Sequence, residues 1–414
     1  MRFLISRLRR VTATGMYDPR IDGLRFLAIL PVLIFHASLR GDRILAAGNA
    51  VMPHDAALMT AVPPGEVGVL LFFFLSGFII AFPFLRASAT ARAMPAYGSF
   101  YLRRLLRLAP AYVLVLTVCY LALAITGYAP KDAPKFNASD TPLYQSYLAS
   151  LIYSHNLIFG GSSRILPPLW TLEIEIQFYL FAPLILTAYS MAEVRMRRIA
   201  MLIAIIVGLS VGHWPWLNET LGLRHTYSIL GYSHFFLTGI LVSDLVFGRA
   251  LAHRAVGDLL FLGGYAVLLS AGTWKVPVPT IDSTLRDVVL LTSIVAIYFG
   301  GMTGRLATRF LAWTPISIIG GACYSIYLTH LPVIQAGSEV AKRLYHPHGV
   351  LGAWALVSPT VPFAIATGLF FYALVEQPTM KPDWPARLVR RFVPVRRLAD
   401  GDHSSSSDAE SPLG

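Results

Sequence analysis

Charge and cysteine are both scarce in this chain. Only 14% of its 414 residues are Asp, Glu, Lys or Arg, against about 25% in an average soluble protein, which argues against a single soluble globular enzyme. Its two cysteines, Cys119 and Cys323, lie far apart inside apolar runs. They can build neither a disulfide framework nor a cysteine metal site, and no metal is expected. Acids are fewer than bases, 22 against 34, leaving a formal charge of +12 and a pI near 9.8. Nucleic acid as a partner would need those bases on one soluble face, so their positions decide. The N-terminus has no long apolar core followed by a cleavage site, so no cleaved signal peptide is expected. No second soluble domain stands out.

Long apolar runs are what the chain has in abundance: 55% of residues are hydrophobic and mean hydropathy is +0.60. A helix needs about 18 residues nearly free of charge to cross roughly 30 Å of hydrocarbon at 1.5 Å per residue. Ten runs qualify, at 21–39, 66–85, 109–129, 168–189, 199–213, 226–247, 255–272, 284–302, 315–340 and 350–375. The fifth and seventh are short or broken by glycine. With alternate loops assigned to opposite faces, one set, including both termini, holds 23 Lys and Arg, the other holds 9, and Arg25 and Arg286 fall within spans. Cytoplasmic segments retain positive charge. The expected fold is therefore an all-α polytopic membrane protein of about ten transmembrane helices with both termini cytoplasmic. The charge alternates from loop to loop and forms no stripe, which excludes nucleic acid as a partner and leaves the lipid bilayer. Arginine supplies 29 of the 34 bases, a bias that fits a GC-rich bacterial source; with the spans, the expected location is the inner (plasma) membrane, as a multi-pass protein. The expected parts are a basic cytoplasmic N-terminus at 1–20, a membrane domain at 21–378, and a tail at 379–414 that is basic and then disordered. The segment 143–159 is semi-apolar and is expected to lie along the membrane or dip into it.

Ionisable residues in hydrocarbon are costly and are functional candidates by default. Arg25 and His36, eleven residues apart, share one face of the first span, about 16 Å apart along its axis. Near the cytoplasmic surface Arg25 suits an anionic group, and His36, in the outer half, suits a proton acceptor for a substrate hydroxyl. Snorkelling and packing roles also account for each residue singly. In the second span, Ser76-Gly77 marks either close helix packing or room for a thin substrate arm. Arg104 and Arg107 share a helical face before the third span, a cradle for phosphates or an anchor at anionic lipid. Glu173 and Glu175 in the fourth span project about 200° apart, so one faces a polar interior. Glu175, about 10 Å deep, matches the depth of His36 and could orient its imidazole. His330 in the ninth span reaches the same layer. Tyr324 lies near it, and Glu376 ends the last span on the cytoplasmic side, where an arginine is the expected partner.

Together Arg25-x10-His36, the stretch from Phe72 to Phe78 with Ser76-Gly77-Phe78, Arg104-x-x-Arg107, the stretch from Trp170 to Tyr179, Tyr324-Ser325-x-Tyr327-Leu328-x-His330 and Glu376-x-Pro378 resemble the acyltransferase-3 family of membrane acyltransferases, over residues 20 to about 378. The resemblance implies transfer of an acyl group, most often acetyl from acetyl-CoA, to a hydroxyl of a carbohydrate or glycolipid. By that likeness His36 is the catalytic residue, Arg25, Arg104 and Arg107 with Ser76 hold the donor, and Glu175 supports the site. Glu173, Tyr324, His330 and Glu376 are further acceptor or supporting candidates. One departure is Thr171-Leu172-Glu173-Ile174-Glu175, where members show Ser-Leu-x-x-Glu. The extra acid leaves the choice between Glu173 and Glu175 open, as it leaves direct transfer against an acyl-enzyme.

The rival reading is a transporter or flippase of a sugar-linked substrate, because midplane charges and glycine breaks also mark transport pathways. The halves show no inverted repeat, and the arginine clusters suit a phosphate-bearing donor. The topology is open to direct test: a fluorescent protein fused after Gly414 should fold and fluoresce, and an alkaline phosphatase fused there should be inactive. An active phosphatase would reverse the assigned orientation.

Overall fold

In a computed structural model, residues 18–47, 62–127, 141–247, 251, 254–273, 281–347, 349–380 and 384 are described. The N-terminal segment before 18 and the tail expected to be disordered lie outside these residues. The described chain is built from helices, with no strand among them. Among the described residues, eight helices are long and apolar enough to cross a membrane, and two bent pairs bring the total to as many as ten.

The first three spans are α1 (Pro19–Ala47), α2 (Glu66–Ala89) and α3 (Tyr97–Thr126). Two short helices follow, α4 (Leu143–Leu151) and α5 (His155–Phe159), in the segment expected to border the membrane. A turn at Pro167–Leu169 leads into α6 (Trp170–Met191). The weak fifth run becomes α7 (Val194–Gly212) and α8 (Pro215–Leu221), bent by 52°. Pro215 starts the new helix at its first position, where a missing N–H costs nothing. After the single turn α9 (Leu223–Thr226) come α10 (Ile229–Val246), α11 (Ala255–Gly272) and α12 (Ile281–Thr303). The short α13 (Arg305–Leu311) precedes α14 (Thr314–Gly321) and α15 (Cys323–Leu344), which meet at 74°. The last span is α16 (Gly349–Val357) and α17 (Thr360–Phe371), a π-helical turn at Tyr372–Glu376, and α18 (Gln377–Thr379).

Helices α1 and α2 sit at the centre, and two-thirds of their most apolar windows are buried. Around them, α3 and α7 turn apolar side chains such as Leu121, Ile125, Ile203 and Ile206 outward, as a lipid-facing surface requires. Small residues bring the central helices together. A methyl group at Gly77 would lie 2.0 Å from the Phe236 carbonyl, and one at Gly239 would lie 2.1 Å from that of Phe74. Thus α2 and α10 cross backbone to backbone, the packing that small residues allow in lipid. At the 74° bend a methyl on Gly320 would lie 1.7 Å from the carbonyl oxygen of Asp22, so α14 crosses α1 just as closely. Gly320→Ala should therefore force the two helices apart, at a cost of about 1–3 kcal/mol. A lowered midpoint of thermal unfolding in detergent, with less folded protein recovered, checks it.

Candidate active site

An open cleft, about 810 Å³ with the solvent at its mouth included, lies between α1, α2, α3, α6 and α15. Its walls carry Arg25, Ser76, Arg104, Arg107, Glu175 and Tyr324, all expected from the sequence. Along α2 it runs from Ile80 to Val69, about 16 Å at 1.5 Å per residue. The arginines lie toward one end, and Thr171 and Tyr327 close the other.

Two of the three arginines are tied locally. Arg25 is buried and its guanidinium is paired with Asp22, one turn earlier on α1 and also buried. The sequence reading overlooked Asp22, although its spacing of three placed it on the same face. The Arg104 guanidinium lies 5.3 Å from the centre of the Tyr179 ring and 5.7 Å from that of Phe100, positions that favour cation–π attraction. Arg107 differs: its Nε is buried and has no hydrogen-bond partner among the described residues. A buried guanidinium donor left open in a cleft invites an anionic ligand.

The structure separates the two acids whose roles were open. Glu175 faces the cleft, where its carboxylate accepts from Ser76 Oγ at 2.7 Å and from the Tyr179 hydroxyl. Glu173, 1% exposed, points away and accepts the backbone N–H of Asn156 at 2.9 Å. It thereby pins α5 to α6. That segment is knit further by neutral groups. Burial, opposed by the bond to Gly161, holds the His155 imidazole below its ordinary pKa. The neutral ring donates from Nδ1 to the Gly161 carbonyl at 2.9 Å and accepts from Ser146 Oγ at 3.0 Å.

His36 is half-buried, and its partner is not Glu175 as the depth estimate suggested. It lies against His330, with ring centres 4.9 Å apart and His36 Nδ1 3.3 Å from His330 Nε2. The correction has a geometric cause: the Glu175 carboxylate is engaged by Ser76 and Tyr179. The tautomers follow from the carbonyls nearby, which only accept. His330 Nδ1 donates to Tyr327 O at 2.5 Å, so its Nε2 carries a lone pair. His36 Nδ1 donates to Val32 O at 2.8 Å and shares that proton with His330 Nε2. This leaves His36 Nε2 unprotonated and without a protein partner among the described residues, the state a general base requires.

Tyr327 links the two halves of the site. Its ring lines the cleft and lies 5.5 Å from that of His330. Its hydroxyl donates to Pro168 O at 2.6 Å and meets Thr171 Oγ1 at 2.7 Å. Tyr324 donates to Leu108 O at 2.8 Å. Glu376 meets Ser325: its carboxylate accepts from the backbone N–H at 3.2 Å and from Oγ at 2.6 Å. It thus satisfies an N–H that the first turn of α15 leaves open after the bend. Among the described residues, no group of three or more His, Cys, Asp and Glu could hold a metal ion.

Comparison with known proteins bears on this geometry. The family profile described as an acyltransferase domain, acyltransferase 3, matches residues 18–375. The chain is 27% identical over 369 residues to the candidate membrane-bound transacylase BcsY of Komagataeibacter xylinus, covering 86% of this chain and 81% of that protein. It is 24% identical to the O-acetyltransferase OatA of Staphylococcus aureus, covering 90% of this chain and 59% of that protein. To the candidate peptidoglycan O-acetyltransferase YrhL of Bacillus subtilis it is 24% identical, covering 79% and 50%. The chain thus spans only part of the length of these two O-acetyltransferases. No solved structure matches.

The role of Glu173 is directly testable. Glu173→Ala leaves the Asn156 N–H buried without its acceptor, at a cost of about 1–3 kcal/mol. The segment 141–169 should then be cut by protease at lower concentrations than in the wild type. Unchanged cleavage would remove Glu173 from that anchoring role.

Proposed function

Since residues 18–375 carry that domain, the chain belongs to the acyltransferase-3 family of membrane acyltransferases, and from that membership we propose that it moves an acyl group, acetyl by default, from acyl-CoA to a hydroxyl of a carbohydrate or glycolipid. The observation that carries this reading is the 16 Å cleft with arginines toward one end and the His330–His36 pair behind the tyrosine at the other. The names of the related O-acetyltransferases support the acceptor class. Membership of an enzyme family leaves the transporter reading without support.

In this proposal the arginine end faces the cytoplasm. Arg107, with Arg104, holds the phosphates of the donor, since guanidinium forks match phosphate oxygens. The buried Asp22 offsets the charge of Arg25 and leaves it as a wall of the cleft. The pantetheine arm lies along α2, and the thioester reaches the level of Thr171 and Tyr327. A hydroxyl entering from the far side gives its proton to His36 Nε2 as its oxygen attacks the thioester carbonyl. The carbonyl re-forms, the C–S bond breaks, and the departing thiolate takes the proton back from His36. His330 Nε2, accepting from His36 Nδ1–H, stabilises the imidazolium formed on the way, a positioning role first assigned to Glu175. Glu175 instead orders Ser76 and Tyr179 along the path of the arm. The donor is a substrate, and no permanently bound cofactor is invoked.

With radiolabelled acetyl-CoA and purified protein in nanodiscs, His36→Ala should abolish transfer to the acceptor without weakening donor binding. Arg107→Ala should raise the KM for the donor about tenfold or more, the loss of one charged hydrogen-bonding group. Transfer by His36→Ala at the wild-type rate would overturn the assigned base.

A further inference from the structure

A second polar group of side chains lies in the bundle, and neither the donor cleft nor the imidazole pair uses it. Glu66, the first residue of α2, accepts from the Tyr232 hydroxyl at 2.9 Å. Its other oxygen stands 3.8 Å from Nη2 of Arg286 on α12, an ion pair too long for a hydrogen bond. Arg286 reaches the carbonyls of Ala271 and Gly272 only at 3.4 and 3.5 Å. The side chains remain 36% and 20% exposed, so carboxylate and guanidinium both keep hydrogen-bonding capacity directed at the space around them. Trp170 stands beside the tyrosine that holds Glu66, its ring 5.7 Å from that of Tyr232 and 4.8 Å from that of Tyr227.

The cluster sits on the histidine side of the molecule. Gly65, next to Glu66, packs so closely on α1 that an added methyl group would lie 3.3 Å from Phe35 Cβ, and the Phe35 ring is edge-on to His36 at 5.4 Å. Trp170 directly precedes Thr171, the partner of Tyr327. An aromatic belt alone would place rings at the end of a span, but it requires no half-open ion pair among them.

We propose that Trp170, Tyr227, Tyr232, Glu66 and Arg286 form the subsite that holds a pyranose ring of the acceptor. The C–H face of a sugar packs on an indole, and adjacent ring hydroxyls donate to a carboxylate and accept from a guanidinium. The inference rests on the reading that the acceptor is a hydroxyl-bearing sugar, and it assigns that sugar a place on the same side of the bundle as His36. A peptide amine or a free fatty alcohol would leave the acid and the guanidinium without a role.

The test measures binding apart from catalysis. Full-length protein in nanodiscs is examined by saturation-transfer NMR with methyl β-D-glucopyranoside and methyl N-acetyl-β-D-glucosaminide, without donor. Ring protons of at least one glycoside should take up saturation from the wild type and from His36→Ala. The signal should vanish in Trp170→Ala and Glu66→Gln and survive, weakened, in Trp170→Phe, a variant that keeps an aromatic face if the alanine form misfolds. With acetyl-CoA present, Trp170→Ala should raise the KM for the glycoside about tenfold while the KM for the donor stays that of the wild type. Failure of both glycosides to contact the wild type, or contacts unaltered in Trp170→Ala and Glu66→Gln, overturns the subsite. Contacts that behave as expected in a protein that transfers no acetyl group uphold the subsite and overturn the acetyl-CoA reading instead.

Discussion

Hydrocarbon offers no hydrogen bonds, so a polar group carried into it must find its partner within the protein. Much of this structure follows from that constraint. Asp22 takes Arg25, Glu173 takes the Asn156 N–H, Glu376 takes Ser325, and Asp244 takes Arg197 and Arg198. Apolar faces packed against lipid-like neighbours gain little from one rotation over another. Each buried polar bond between helices, by contrast, fixes one helix against the next, because breaking it leaves an uncompensated group. The polar residues of this oily chain are what give its packing a unique arrangement.

The bend between α14 and α15 shows how such bonds and backbone shape cooperate. Gly320 lets α14 lie against the backbone of α1, and after the break the opening turn of α15 has amide groups without helical partners. Glu376 supplies an acceptor from the π-helical turn at the chain's last span. The redirected α15 then presents Tyr324 and Tyr327 to the cleft and His330 to His36. A straight helix would carry these side chains on a different line.

The spans were readable because run length and charge are one-dimensional properties. All ten expected runs meet a long helix or a bent pair, and the short fifth run bends where Pro215 begins a new helix. Depth was readable too: His36 and His330 were expected in one layer and they touch. What depth leaves undetermined is direction around the helix axis. Glu175 was matched to His36 on depth, yet the close crossings at Gly77 and Gly239 rotate α2 and α10 so that Ser76 meets that carboxylate. Asp22 was overlooked although spacing alone placed it beside Arg25. The role of Glu173 depends on a loop segment whose fold hydropathy does not report.

Tyr327 has a consequence for the membrane as an electrical barrier. If donor and acceptor enter from opposite faces, as proposed, little apolar material separates two aqueous phases between the cleft and the half-buried imidazole of His36. Across that short distance each elementary charge would gain about 2.3 kcal/mol per 100 mV of membrane potential, enough to drive a steady leak of protons. The side chain that closes the gap is a neutral phenol, locked to the Pro168 carbonyl and the Thr171 hydroxyl at 2.6 and 2.7 Å. With its proton committed to a carbonyl, that phenol has none to relay, and its ring stands 5.5 Å from the ring of His330.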